Sequence, residues 1–135
     1  MAKTKKLNYT YAVGKRKNAS ARVRLFKGSE ENTVNTILVG KYFPGESARV
    51  AWSKPFETLD VVGKYFFTAR VTGGGKQGQL DAVVHGIARA MSKVKDGNRI
   101  PLKKEGLLTR DDRIRERRKM NTGGKARRAK QSPKR

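Results

Sequence analysis

The sequence predicts an α+β fold: a small, mostly antiparallel four-stranded sheet with helices packed on one face, followed by an extended basic C-terminal tail. Three observations predict it. Short segments between Tyr9 and Val39, and again from Tyr65 to Thr72, alternate apolar and polar residues with the period of a strand. Leu80, Val83, Val84, Ile87, Met91 and Val94 recur at helical spacing. Beyond Leu108 the core-forming residues nearly vanish while Arg and Lys persist. The chain thus divides into a basic arm (1–8), a globular domain (9–108) and a tail (109–135).

Lys3 to Lys6 form the arm. Tyr9, Tyr11 and Val13, alternating with Thr10 and Ala12, make the first strand. Gly14-Lys15-Arg16-Lys17-Asn18 reads as a basic turn. The second strand then sets Ala21, Val23 and Leu25 on one face and Ser20, Arg22 and Arg24 on the other. After a turn over Lys27 to Asn32, Val34 to Val39 gives a third short strand. Pro44-Gly45 stops the chain, and Glu46 to Ser53 forms a short helix. A second helix starts near Pro55, where the first turn needs no N–H. Phe56, Leu59 and Val62 give it an apolar stripe, and Gly63 ends it. The fourth strand, Tyr65 to Thr72, turns Phe67, Ala69 and Val71 to the core and Phe66, Thr68 and Arg70 away from it. Gly73-Gly74-Gly75 breaks that strand. The longest helix follows from about Gln77 to Lys95, with Arg89 and Lys93 opposite its core stripe and His85 beside them. Asp96-Gly97-Asn98 ends it, and Ile100 to Glu105 forms a last short amphipathic helix.

Charge narrows the function. Formal net charge is +22, with 33 Lys and Arg against 11 Asp and Glu. Such a chain repels itself and attracts polyanions, nucleic acid first. A membrane surface fits less well, because the basic tail has no apolar stripe. No apolar run approaches the roughly 18–20 residues of a bilayer span, and Met1 to Leu7 leads into no signal-like apolar region. With no cysteine, disulfides, thiolate metal sites and cysteine nucleophiles are excluded, and a reducing, cytoplasmic setting is expected.

Four constellations bear on chemistry. Lys15, Arg16 and Lys17, with Arg22 and Arg24 on the adjoining strand, put five cations on neighbouring surface, and no acid stands between Met1 and Ser29 to balance them; phosphate contact is expected. Gly73-x-Gly75-x-x-Gly78 matches the dinucleotide fingerprint literally, between a strand and a helix. Its wider setting fails, since no second parallel strand with an acid follows. The phosphate-binding P-loop pattern fails as well, with Gln77 after Lys76 and Arg70 at the first glycine position. Two readings of the glycines stay open: a tight strand-to-helix turn, and backbone N–H groups beside Lys76 that suit a phosphate. His85 is the lone histidine; with only Asp81 one turn away it reads as a surface residue near RNA rather than a general base, and no metal-ligand spacing is present. Ala82, Gly86 and Ala90, four residues apart, read as a flat helix back for tight packing within the domain.

The tail has two parts. Asp111, Asp112 and Glu116, mixed with arginines over Arg110 to Lys119, predict helical turns with i,i+4 ion pairs. From Arg117 to Arg135 there are nine cations (Arg117, Arg118, Lys119, Lys125, Arg127, Arg128, Lys130, Lys134 and Arg135), no acid, and no Leu, Ile, Val or aromatic residue. Such a segment cannot offset its own ordering entropy and is expected to order only on a polyanion. Fully extended it reaches roughly 60 Å.

Taken together, Gly73-Gly74-Gly75-Lys76-Gln77-Gly78-Gln79, Ala82 and His85-Gly86-Ile87-Ala88-Arg89-Ala90 closely resemble the signature of the small-subunit ribosomal protein nine family, bacterial type. Gly14-Lys15-Arg16-Lys17, Ser20-Ala21-Arg22-Val23, Tyr42-Phe43, Leu108-Thr109-Arg110-Asp111 and the basic terminus extend the resemblance from about Tyr11 to the end. It implies a fold like the second domain of small-subunit ribosomal protein five, with a left-handed βαβ crossover against the usual rule. It implies a non-enzymatic, ribosome-bound protein of the subunit head, among neighbouring ribosomal proteins, without cofactor or small-molecule substrate. Lys15, Arg16, Lys17, Arg22, Arg24, Lys76, Arg89, Arg110, Arg117, Arg118, Lys119, Lys125, Arg127, Arg128 and Lys130 would meet rRNA. Lys134 and Arg135 would meet the anticodon stem-loop of the peptidyl-site tRNA. The chain departs from the family pattern at Val84, where a basic residue is common, and at Ser132-Pro133, which replaces an aromatic-Ser pair. Two rival classes fit parts of the pattern: a free nucleic-acid chaperone or chromatin protein, from the charge, and a nucleotide-dependent enzyme, from Gly73 to Gly78.

Overall fold

The computed structural model describes residues 8–117. Its elements run β1 (Tyr9–Arg16), β2 (Ala19–Lys27), β3 (Thr33–Val34), β4 (Ile37–Leu38), α1 (Val39–Tyr42), α2 (Glu46–Thr58), β5 (Tyr65–Thr72), α3 (Lys76–Val94), a single 3-10 turn (Asp96–Asn98) and α4 (Arg99–Lys104). The α+β class is as expected. The sheet is not: it has five strands, ordered β1-β2-β5-β3-β4, and it is mixed, because β3 runs parallel to β5. The N-terminal arm and the tail beyond Arg117 lie outside the described residues.

The difference arises at Asn35 and Thr36. Both adopt left-handed backbone, with φ of 51° and 68°, the conformation a two-residue hairpin turn demands of both central residues. The segment expected as one strand therefore folds back on itself, and α1 replaces its end. Two asparagines compensate for so short a β3. The Asn32 side-chain oxygen accepts from the Phe67 N–H at 2.9 Å. The Asn35 amide accepts from the Val71 N–H at 2.8 Å and donates to the Val71 carbonyl at 3.1 Å. Side chains thus extend the ladder along β5 where backbone is missing. The two helices expected over Glu46–Gly63 are one: α2 runs through Pro55 and stops at Thr58, with Asp60 left-handed (φ 55°). Val62 falls outside it and is 65 % exposed.

The core lies between one sheet face and the helices. Ala21, Val23 and Leu25 of β2 and Phe67, Ala69 and Val71 of β5 meet Leu80, Val83, Ile87 and Met91 of α3. Burying each large side chain contributes about 1.5–3 kcal/mol, and α2 closes the layer by setting Phe56 and Trp52 against Phe67.

Helix α3 lies almost directly on β1. A Cβ on Gly14 would stand 1.9 Å from the Ala82 carbonyl oxygen and 2.3 Å from the Gly86 nitrogen. One on Gly86 would meet Val23 Cγ2 at 2.6 Å. The flat stripe of Ala82, Gly86 and Ala90 is fully buried here, as the spacing predicts. The same proximity lets one turn-spaced row of α3 cap the outer edge of β1. His85 Nδ1 accepts from the Lys15 N–H at 3.3 Å. Arg89 donates to the Val13 carbonyl, and Lys93 donates to the Tyr11 carbonyl at 2.9 Å. The three bonds fall on alternate residues of an edge strand, the ones whose polar groups face away from β2.

His85 is therefore a buried clamp, 9 % exposed, and not the surface residue expected. Its Nε2 lies 3.2 Å from the Leu108 carbonyl. An acceptor at Nδ1 and a donor at Nε2 require the neutral ring. Burial pushes its pKa down; the Leu108 bond opposes this, while the Arg89 and Arg110 charges add to it.

Two outcomes follow from this contact. Gly14→Ala should cost about 3 kcal/mol or more in urea unfolding, because backbone must move, whereas Gly40→Ala, with open space around it, should be neutral or slightly stabilising. Because the folded-state pKa of His85 lies below its unfolded value, its contribution is fully present above about pH 6.5 and is lost as pH falls toward the folded value. The melting temperature of the full chain should fall over that window, and His85→Gln should flatten the fall.

Candidate nucleic-acid interface

β1 and β2 meet in a two-residue turn at Lys17 and Asn18, with Lys17 left-handed at φ 53°. The three glycines after β5 fit against it. Gly73 and Gly74 have φ of 76° and 63°, and a Cβ on Gly73 would stand 2.4 Å from the Asn18 carbonyl oxygen. Positive φ and close approach both require glycine there. Helix α3 consequently begins beside the turn, and Lys17 Cδ lies 3.9 Å from where a Cβ on Gly78 would sit.

No side chain caps α3 at Gly75, and the first intrahelical bond runs from the Gln79 N–H to the Gly75 carbonyl. The N–H groups of Lys76, Gln77 and Gly78 precede it, at the positive end of a 19-residue helix. Lys76 is held at this end: its Nζ lies 3.4 Å from the Tyr42 ring centroid. Tyr42 is fixed in turn by donating its hydroxyl hydrogen to Gln79 Oε1 at 2.7 Å. Lys17 is exposed alongside, whereas Lys15 is exposed on the sheet face turned away from α3, in the row with Ser20 and Thr72. Sterics thus explain the glycines as a tight turn, and the turn leaves backbone donors and two ammonium groups, those of Lys17 and Lys76, near the start of α3. That set suits a phosphate.

Other expected contacts are used differently. Arg16 is only 14 % exposed and pairs with Asp81 at 3.6 Å and Asp111 at 3.2 Å. It also donates to the Arg113 carbonyl at 2.9 Å. Arg113 grips the same Asp111 at 2.6 Å. Arg113 hydrogen bonds chiefly, with the charges of Arg113 and Arg16 adding, hold the Asp111 carboxyl well below the usual carboxylate range. Arg16 is thus an internal anchor for the segment after Leu108. Arg89 is engaged at Val13, as described. The helical turns expected from Arg110 onward are absent up to Arg117; Asp111 pairs two residues on, not four. Arg110 and Arg117 are exposed. Arg118, Lys119, Lys125, Arg127, Arg128, Lys130, Lys134 and Arg135 lie outside the described residues.

Arg22 and Arg24 are exposed on the sheet face opposite α3, apart from the Lys17 corner. Register adds a residue that sequence reading left out of the interface, Arg70, which stands directly across from Arg22. Its alternation with Phe67, Ala69 and Val71 already placed it on that face; only the strand pairing brings it to Arg22. Among the described residues no group of three or more His, Asp or Glu side chains could hold a metal ion, and no helix is long and apolar enough to cross a membrane.

Comparison with known proteins gives a consistent result. A family model described as ribosomal protein S9/S16 matches residues 14–135. The small ribosomal subunit protein uS9 of Desulfotalea psychrophila is 47 % identical over 114 residues, covering 84 % of this chain and 88 % of the relative. The proteins of the same name from Leifsonia xyli subsp. xyli and Paenarthrobacter aurescens are 47 % and 44 % identical over 125 residues, covering 92 % of this chain and 74 % of each relative. The family resemblance carried by the glycine-rich run and the basic turn is thereby shown: the chain belongs to the ribosomal protein S9/S16 family.

Proposed function

We propose that this protein is a structural component of the small ribosomal subunit that binds rRNA of the head through the corner of Lys17 and Lys76 and passes its tail toward the peptidyl-site tRNA. Membership in a family of ribosomal proteins makes it ribosome-bound and non-enzymatic, and removes the nucleotide-dependent enzyme as a reading. The observation that carries the RNA contact is the meeting of the β1–β2 turn with the start of α3, where backbone N–H groups of the first helical turn stand near Lys17 and Lys76. Neutralising phosphates there releases counterions and lets RNA helices pack closely. Contacts to backbone and shape, not to base edges in a deep groove, fit this chemistry. A cytoplasmic location and neighbouring head proteins as partners go with that role.

The tail contact rests on the family match, which continues to residue 135, and on the nine cations from Arg117 onward. In this reading residues 9–108 are the rRNA-binding body. The 109–135 extension, fastened at Asp111 and Arg113, carries Arg117 to Lys130 along rRNA. Lys134 and Arg135 then reach the anticodon stem-loop.

Lys17→Gly separates binding from folding. It removes a cation and also a left-handed non-glycine residue, so the melting temperature should hold or rise. Affinity for small-subunit rRNA should fall, with the salt slope lower by about one; unchanged affinity would count against the corner. Deleting Lys134 and Arg135 should leave subunits assembled while weakening peptidyl-site tRNA binding in filter assays. Equal tRNA retention by truncated and intact subunits would refute the tail role.

A further inference from the structure

The face of the sheet turned away from α2 and α3 has a composition that folding does not explain. Its cross-strand rows read Tyr9–Phe26–Phe66, Tyr11–Arg24–Thr68, Val13–Arg22–Arg70 and Lys15–Ser20–Thr72. Three arginines and a lysine stand on these rows, and no acid does. Arg22 and Arg70 are directly opposed across β2 and β5, a like-charge pairing that opposes strand association. Among the described residues neither makes an ion pair or a side-chain hydrogen bond, whereas Arg16, Arg89 and Arg113 all do. Arg24 is poised over the Tyr9 ring, 5.2 Å from its centroid, and Phe26 stacks on Phe66 at 5.0 Å. The aromatic row spends its ring faces on itself and on Arg24, so it braces the platform instead of offering stacking sites. Beside it, a shallow trough is lined by Arg22, Arg24, Arg70, Thr68, Thr36 and Asn35: three cations among hydroxyl and amide groups. No described element covers it.

We infer that this trough is a second RNA-binding surface, distinct from the Lys17 corner, and that it takes the sugar–phosphate backbone of a folded RNA. The arginines meet phosphates, and the hydroxyls of Thr68 and Thr36 meet 2′-hydroxyls. Charge complementarity commits the occupant: a row that repels itself becomes favourable only against a polyanion. The hydroxyl lining suits the backbone of an RNA helix, which is read by shape and 2′-OH groups. The inference rests on the RNA-binding reading above and adds to it a place and a mode.

The full chain carrying a benzophenone amino acid at position 68 tests this. It is assembled into small subunits, irradiated and digested, with a parallel chain bearing the probe at position 77, in the first turn of α3. Crosslinks to rRNA from both positions are expected. Crosslinks to rRNA from position 77 only, or to a neighbouring protein from position 68, overturn the trough and leave the corner standing. Crosslinks to rRNA from neither position overturn both. In solution, Arg22→Gln with Arg70→Gln should melt no lower than the parent. It should bind purified small-subunit rRNA about tenfold more weakly, with a salt slope lower by about two. A double variant with parental affinity and slope would reject the trough even if crosslinks were seen.

Discussion

Nothing projects from the α-carbons of Gly14 and Gly86, and the molecule is organised around that fact. Any side chain at Gly14 would collide with helix backbone, which cannot move aside as a flexible side chain does. The contact fixes the height of α3 over β1, and the rest follows from that height. It sets His85, Arg89 and Lys93 within hydrogen-bond reach of the β1 edge. It also brings the first turn of α3 to the β1–β2 turn, where Gly73 and Gly74 make a second close approach. The lysine corner is thus a product of packing between glycines, not of the lysines themselves.

Electrostatics sorts the cations into two kinds. Arg16, Arg89, Lys93 and Arg113 are consumed by carbonyls or by Asp81 and Asp111, and they hold pieces of the fold together. Lys15, Lys17, Arg22, Arg24 and Arg70 stay on the surface, and the formal charge of +22 remains largely uncompensated. Surface ion pairs contribute little to stability, but the Asp111 cluster has another use: it fixes where the chain leaves the body.

Much of this was legible in the sequence where one physical signal acted alone. Strict alternation gave β2, β5 and the first part of β1, whose end from Gly14 to Arg16 read as turn but pairs with β2, and helical spacing gave α3 to within a residue. Legibility failed where tertiary structure overrode a local cue. Asn35 and Thr36 carry no glycine, so their hairpin turn read as continuous strand. Pro55 suggested a helix start, yet α2 absorbs it. His85 sits beside Arg89 on the polar flank of α3, and only the nearness of β1 and Leu108 turns that flank inward. Arg16 sits in a basic run, and its partners Asp81 and Asp111 are too distant in sequence to announce themselves. Pairing between strands, which placed Arg70 across from Arg22, lies likewise beyond any one-dimensional pattern.

The capped margin of β1 matters before the protein ever reaches a ribosome. An open sheet invites a second copy to add its own strand through unpaired main-chain groups. Here the carbonyls of Tyr11 and Val13 and the amide of Lys15 are already taken by α3, and the opposite margin is β4, two residues long. A newly made chain therefore offers little template at either margin of its sheet for self-association.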